Sequence, residues 1–321
     1  MTKLALYDTQ FQNQVLNSEN AFIIDDLVEQ GYYPWIKMPD CMPSQEYIPM
    51  PEVQDKDLAD ILSTEVLEQG TDRVKVKFIV NNPSGETITD IKIKNMDCYI
   101  IEQQYEGKVS VVLAELKNPI AYVSRYSVLS ITTKGAYNLP YTRNFEDGER
   151  LIYVDFYREI HTIEDWKEMN QSPTENYMLM EDLNFINESS NQISITNTYT
   201  GKLEGNGHVL KNIRMDSNQK SGIFNMVDGK ISNLNIESFV WKDSNASNLG
   251  FISNLDKNAE IDNIHIKDME ISGKSDVIYV GGLVGAVSGG KIRNASVSDL
   301  KITIDQRRYG ETYVGGIVRS C

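Results

Sequence analysis

The sequence predicts an all-β protein in which an antiparallel, immunoglobulin-like β-sandwich is followed by a right-handed parallel β-helix, a β-solenoid. Three observations support this fold class. A unit of about 30 residues recurs toward the C-terminus, short apolar runs separated by turn residues fill the middle of the chain, and no long stretch shows helical spacing.

The composition narrows the classes of protein that fit. The 321 residues are enough for two or three domains, and 17 Tyr against 9 Phe favours half-buried β surfaces. A formal net charge of -15 without a Lys/Arg cluster would repel a phosphate backbone, so the sequence argues against nucleic acid as a partner. No apolar run approaches the roughly 18 residues that a membrane span needs.

Residues 1–70 are interpreted as a partial β module followed by a linker. Short apolar runs at residues 21–24 and 47–48 are interrupted by prolines, which keep strands short: Pro34, Pro39, Pro43, Pro49 and Pro51. Residues 55–62 are charged, with weak helical spacing, and serve best as a linker. No signal peptide follows Met1, so we expect either a cytoplasmic protein or part of a longer chain.

Residues 71–158 are predicted to form the immunoglobulin-like β-sandwich. Residues 74–80 alternate between apolar and polar side chains, and Asn81, Asn82, Pro83 and Gly85 then turn the chain. Further strand signals follow at residues 91–94, 109–113, 122–131 and 150–157. This spacing is typical of a small antiparallel sandwich.

Residues 159–321 are predicted to form the parallel β-helix, beginning with a short capping helix. Thr162 suits a helix N-cap, and Asp165 stands three positions later. With Trp166 and Met169 facing inward, this helix would cover the first coil of a solenoid.

The repeat decides the fold of this C-terminal part. Ile231, Ile261 and Ile292 occupy equivalent places in an Ile-x-Asn pattern, at offsets of 30 and 31 residues. A second element of the same repeat begins with glycine, at Gly222, Gly250, Gly282 and Gly316. Each unit has an apolar face that only stacking can bury, and β-branched residues favour this over a leucine-rich repeat, the nearest alternative.

Stacking in this register makes two further predictions. Lys230, Glu260 and Lys291 would lie beside one another with alternating charge, as would Glu270 and Lys301. The side-chain amides of the repeat would form a ladder, consisting of Asn233, Asn263 and Asn294.

The repeat resembles the Gly-Leu-x-Gly repeats in the N-terminal region of immunoglobulin A protease-type zinc metalloendopeptidases of Gram-positive bacteria. Residues 282–285 (Gly-Leu-Val-Gly) are the cleanest copy, and the resemblance includes Trp166 and residues 176–185 and 201–208. It covers roughly residues 155–321, and similar repeats also occur in surface adhesins that carry no protease.

The resemblance implies a non-catalytic region of a secreted or cell-wall protein, positioned ahead of a distant catalytic domain. That domain binds zinc through a His-Glu-x-x-His helix, which His161, His208 and His265 do not match. We therefore expect no catalytic, metal-binding or cofactor-binding residue in this chain, with zinc only in the absent catalytic domain. The implied partner is a protein, such as a host immunoglobulin or surface glycoprotein. From the repeat we expect the last coil to be incomplete at Cys321.

Several local patterns are weaker. Residues 285–291 approach a phosphate-binding loop, but Ile292 stands where Ser or Thr is needed. Residues 139–142 resemble a sorting signal, but Arg143 follows instead of Gly, so an ordinary strand-ending turn is expected there. Cys41 and Cys98 could form a disulfide or remain free thiols, and no cysteine spacing suits zinc.

Three hypotheses for function remain open from the sequence. The first is a spacer and protein-interaction region of a metalloprotease, and the second is a stand-alone adhesin that binds host protein or glycan. The third is a carbohydrate-active enzyme that uses Asp268 and Asp299 as an acid and base pair, although each aspartate also stands where a turn is expected. The sequence assigns no residue to partner binding.

Overall fold

The protein is all-β, with 62% of residues in strands and 4% in helices, in a computed structural model. The structure describes residues 58–135, 140–218, 221–244, 246–274, 279–305 and 312–318. It also gives the backbone of four short strands, β1 (Leu4–Leu6), β2 (Gln14–Leu16), β3 (Trp35–Lys37) and β4 (Tyr47–Pro49). These strands form an antiparallel sheet in the order β2, β1, β3, β4. The predicted run at residues 47–48 lies in β4, whereas residues 21–24 lie outside the described residues.

Two antiparallel sheets occupy residues 60–153. The first has the order β5, β6, β9, β8, and in the second β10 pairs with β7 along one edge and with β11 and β12 along the other. The first sheet contains β5 (Asp60–Gln69), β6 (Arg73–Asn81), β8 (Asp97–Glu106) and β9 (Val109–Lys117). The second contains β7 (Thr87–Ile93), β10 (Arg125–Lys134), β11 (Pro140–Asn144) and β12 (Arg150–Tyr153).

One hydrophobic core lies between these two sheets. Strand β6 alternates strictly, so that Val74, Val76, Phe78 and Val80 are buried while the lysines between them reach solvent. Strand β5 pairs with β6 from Asp60 onward. The first strand of this unit therefore lies on the N-terminal side of the predicted boundary near residue 70, and it includes part of the predicted linker.

A short helix follows β13 (Arg158–Ile160), as the sequence predicts. Helix α1 (Ile163–Glu168) begins with a capping box, in which the Thr162 hydroxyl accepts from the Asp165 N–H and the Asp165 carboxylate accepts from the Thr162 N–H. Trp166 and Met169 are fully buried in the same core as the solenoid. A second single-turn helix is α2 (Ser190–Ile193).

The C-terminal part is a β-solenoid of about four turns, in which strands of successive coils pair in parallel. One side contains β14 (Tyr177–Leu179), β15 (Leu183–Asn184), β17 (Lys202–Glu204), β18 (Val209–Met215), β20 (Lys230–Ser244), β23 (Glu260–Lys274), β26 (Lys291–Arg293) and β27 (Ser296–Asp305). The other sides contain β16 (Ile195–Tyr199), β19 (Phe224–Val227), β21 (Asn248–Leu249), β22 (Ile252–Leu255), β24 (Tyr279–Gly281), β25 (Val284–Val287) and β28 (Tyr313–Gly315).

The predicted register is confirmed. Ile231 pairs with Ile261, and Ile261 pairs with Ile292. The first two are almost completely buried, and Ile292, in the last coil, is partly buried against the same core. The glycine-initiated element also stacks, because Phe224, Ile252 and Val284 are paired in order.

Left-handed residues within the long strands shape the coil. In β20 the inward residues are Ile231, Leu234, Ile236, Phe239 and Trp241, so the step between them is two or three residues. Each three-residue step passes a left-handed residue, namely Asn233 (φ 54°) or Ser238 (φ 59°). These residues bend the strand and keep the next apolar side chain inside, where strict alternation would point it outward.

Close approach of neighbouring coils requires glycine at Gly222, Gly250 and Gly282, whereas no atom lies within 4 Å of a Cβ placed on Gly316 in the last coil. A Cβ atom on Gly222 would lie 2.2 Å from the carbonyl oxygen of Gly250, and one on Gly282 would lie 2.4 Å from that of Gly316. No side chain fits at such distances. The glycine element of the repeat therefore reflects coil packing.

Candidate functional site

A ladder of polar side chains follows one bend of the solenoid. Asn263 Nδ2 donates to Asn233 Oδ1 at 2.8 Å, and Asn233 Nδ2 donates to Glu204 Oε1 at 2.8 Å. Asn294 Nδ2 donates to Asp262 Oδ1 at 2.9 Å, and so leaves the predicted amide series at its last step. We call these five residues, Glu204, Asn233, Asp262, Asn263 and Asn294, the corner ladder.

His265 lies beside the corner ladder on the exposed face of β23. Its Nε2 is 2.9 Å from Asn263 Oδ1, and its Nδ1 is 2.7 Å from the Ser296 hydroxyl. Each ring nitrogen therefore has a protein partner, one on the same strand and one in the next coil. This contact links two coils and, in this arrangement, leaves neither ring nitrogen free to bind a metal ion.

The other two histidines each face a carboxylate. His161 Nε2 is 2.9 Å from Glu159 Oε2, and this hydrogen bond raises the pKa of His161 above its ordinary value. His208 Nδ1 is 3.3 Å from Asp182 Oδ1. Within the described residues, no three side chains of His, Cys, Asp or Glu are grouped as a metal site.

Asp268 and Asp299 occupy the second left-handed bend of their coils, with φ of 58° and 51°. They stand in the same column as Asn212 and Ser238, which are also left-handed. The Ser238 hydroxyl donates to Asp268 Oδ2 at 2.8 Å. Both aspartates thus have the turn position that the sequence predicts, and Asp268 has a structural hydrogen bond there.

Charged side chains stack along the outer face as predicted. Lys291 Nζ lies 3.5 Å from Glu260 Oε1, and Lys301 Nζ lies 3.1 Å from Glu270 Oε1. Lys242 adds a contact with Glu270 at 2.8 Å that the sequence does not predict. Hydrogen bonds from Lys242 and Lys301 lower the pKa of Glu270.

A cleft opens at one end of the antiparallel unit, with a volume of about 530 Å³. Three separate segments line it, around residues 94–95, 121–127 and 147–151. Lys94 forms an ion pair with Asp147, and the Ser127 hydroxyl accepts from the Gly148 N–H at 3.2 Å. The lining segments are far apart in sequence, so no local motif marks this cleft.

Three weaker sequence patterns have structural explanations. Residues 285–291 span β25 and the turn into β26, and the Ser288 N–H donates to the Leu255 carbonyl of the previous coil. Pro140 begins strand β11, so residues 140–142 lie in a strand where the sequence indicates a strand-ending turn. Cys98 is a free thiol whose pKa burial raises to about 12, and Cys41 lies outside the described residues.

The fold and these surfaces define an all-β protein that contains a β-solenoid with polar, hydrogen-bonded bends. The model of one family, described as the GLUG motif, matches residues 276–303. This segment includes residues 282–285 (Gly-Leu-Val-Gly) and strands β24 to β26. No curated protein and no solved structure matches the chain. No helix within the described residues is long and apolar enough to cross a membrane.

Proposed function

We propose that this chain is a non-catalytic spacer and protein-interaction region of a secreted or cell-wall zinc metalloprotease of the immunoglobulin A protease type. The observation that carries the proposal is the stacked glycine repeat, which includes a match to the GLUG motif. A solenoid of this kind supplies an extended flank for a partner and holds neighbouring domains apart. Zinc belongs to the catalytic domain, and no residue of this chain is assigned to it.

Tight joining of the two units supports the spacer role. The Asn176 side chain is buried and donates to Ser124 Oγ and to the Phe156 carbonyl, both at 3.1 Å. Its Oδ1 accepts from the Lys202 N–H at 3.0 Å. Asn176 thus connects the sandwich side, the connecting segment and the solenoid through one amide. A joint with these contacts resists bending.

We further infer that the antiparallel unit is an immunoglobulin-like sandwich. Its strand order resembles the constant-type pattern, with the first, second, fifth and fourth strands in one sheet and the third, sixth and seventh in the other, where an eighth strand, β12, also pairs with the sixth. Tyr126, near the start of the sixth strand, donates to the Ala121 carbonyl at 2.7 Å, as in the tyrosine corner of such domains. The parallel coils are inferred to be right-handed, the usual hand of such crossovers.

The interaction role is assigned to the exposed face of β20, β23 and β27. This face is polar and its side chains are held by hydrogen bonds between coils, so its shape is fixed before a partner binds. We propose a host immunoglobulin or another surface glycoprotein as the partner, met outside the bacterial cell.

Binding to purified immunoglobulin A tests this role. The chain is passed over immobilised immunoglobulin A and over serum albumin in surface plasmon resonance. We expect saturable binding to immunoglobulin A only, reduced by Lys267→Glu on the exposed solenoid face. Lys92→Glu on the antiparallel unit makes the same charge change and should leave binding intact. Equal binding to both proteins, or cleavage of immunoglobulin A by the isolated chain, contradicts the proposal.

The alternative is a stand-alone adhesin that binds host protein or glycan. One observation favours it, namely the polar cleft on the antiparallel unit, which a simple spacer does not need. If the adhesin hypothesis holds, Lys267→Glu on the exposed solenoid face should leave binding to a glycan unchanged.

A further inference from the structure

The cleft of the antiparallel unit contains one guanidinium and one side-chain amide that have no protein partner among the described residues. Arg125 and Asn95 line it, and among the described residues neither side chain has a hydrogen bond or ion pair. Lys94 and Asp147 neutralise each other in their ion pair, so the lining has a net charge of +1. The chain has 46 acidic and 31 basic residues, so the net positive charge of this lining is opposite in sign to that of the chain as a whole.

An exposed aromatic side chain extends the same surface. Tyr153 pairs with Arg125 across the β10–β12 ladder, and Leu151 pairs with Ser127. Directly paired residues present their side chains on one face of a sheet, here the face opposite the buried Tyr126. Tyr153 is 67% exposed, so its ring is open to a ligand.

We propose that this cleft binds a sugar that carries a carboxylate, such as a hexuronate or a sialic acid. The Arg125 guanidinium supplies the paired donors that a carboxylate accepts. The Asn95 amide suits sugar hydroxyl groups, and the Tyr153 ring suits the apolar face of a pyranose. A volume of about 530 Å³ accommodates one or two sugar rings.

An acidic peptide is the competing ligand, since it also offers a carboxylate. The cleft favours the sugar because its other groups are one amide and one aromatic face, and because only one cation of the lining is unpaired among the described residues. An acidic peptide would meet the negative field of the rest of the chain at its further carboxylates. This inference concerns the antiparallel unit and does not depend on the metalloprotease assignment.

Titration of the full chain tests the proposal. The probes are galacturonate and N-acetylneuraminate, with galactose as the neutral counterpart and a glutamate-rich peptide as the competing ligand. We expect at least one carboxylated sugar to bind, with galactose at least about tenfold weaker. Arg125→Ala should weaken binding by about tenfold, as expected for loss of a charge-assisted contact. Tyr153→Ala should also weaken it.

A matched control separates a specific contact from overall charge. Arg214 is exposed on the solenoid, and Arg214→Ala changes the net charge equally, so it should leave sugar binding unchanged. Among the described residues the Arg125 side chain has no hydrogen-bond or ion-pair partner to lose, and circular dichroism should report an unchanged fold. The proposal is overturned if neither acidic sugar binds, if the peptide binds as tightly as the sugars, or if both arginine variants behave alike.

Discussion

Asn263 donates a side-chain hydrogen bond to Asn233 in the coil before it, and both residues have left-handed backbone conformations. The same residue type thus satisfies two needs at one place. The short polar side chain tolerates the left-handed bend, and its amide bonds to the equivalent amide 30 residues earlier. The bend is therefore fixed both along the strand and between coils.

Replacement of Asn263 by alanine should destabilise the solenoid. Alanine lacks the amide and adopts the left-handed conformation poorly, so we expect a loss of about 1–2 kcal/mol in the free energy of unfolding. Asn263→Gly should recover the backbone part and lose less. Urea denaturation measures both. Lys267→Ala, an exposed change on the same strand, should have little effect, and an equal loss for glycine and alanine would refute the backbone argument.

Trp166 should be the most sensitive position of the capping helix. Its side chain is fully buried, its Nε1 donates to the Ile193 carbonyl at 2.8 Å, and its ring makes edge contacts with Phe185 and Phe224. Trp166→Ala should cost about 3–5 kcal/mol, measured by urea denaturation. Ile186→Ala, an exposed change nearby, should stay within about 0.5 kcal/mol. A small effect of Trp166→Ala would mean that the helix does not close the core.

The solenoid could be predicted from sequence because its packing is local and periodic. Ile231, Ile261 and Ile292 reveal the register directly, and Gly222 and Gly282 recur because the backbones of adjacent coils nearly touch. The sequence predicts a series of amide contacts at this bend. The prediction holds for the contact between Asn233 and Asn263 and fails at the last step. There Asn294 bonds to the carboxylate of Asp262, which a pattern of asparagines alone does not reveal.

The sequence predicts less of the antiparallel unit than of the solenoid. Its strand signals were recognised, but pairing between strands distant in sequence is set by tertiary packing and not by local pattern. The high charge of residues 55–62 indicates a linker, although strand β5 begins within this range at Asp60. The cleft with Arg125 and Asn95 was missed because three distant segments form it.

The ion pair between Asp60 and Arg150 should make stability depend on pH in the acid range. Burial alone would raise the pKa of Asp60, but the Arg150 hydrogen bonds at 2.7 and 2.8 Å and the nearby charge of Arg143 outweigh it and lower the pKa. A lowered pKa means that the contribution is present above the unfolded value of 3.8 and is lost as pH falls below it.

Asp60→Asn tests this dependence. At neutral pH the variant should be less stable than the original chain by roughly 1 kcal/mol, and the difference should narrow as pH falls below 3.8. Urea denaturation across this range measures it. Asp72→Asn makes the same charge change at an exposed site and should show no such pH-dependent gap. A gap that persists at the lowest pH would show that the effect is not due to ionisation of Asp60.

Asn176 should determine how firmly the two units are joined. Asn176→Ala removes two donors and one acceptor from a buried site and leaves the Phe156 carbonyl and the Lys202 N–H without their side-chain partner. We expect a loss of about 2–4 kcal/mol in the free energy of unfolding. We also expect faster amide hydrogen exchange in residues 155–158 and 200–204, which flank the joint.

Asn176→Asp distinguishes the two halves of this amide. Aspartate keeps an acceptor for the Lys202 N–H but cannot donate to Ser124 or Phe156, and it adds a charge to a buried site. It should therefore be no better than alanine at neutral pH and should improve when acid protonates it. If both variants leave exchange at the joint unchanged, contacts other than the amide hold the units together, among them the ion pair of Lys202 with Asp155 at 2.7 Å, and a rigid spacer would rest on those contacts instead.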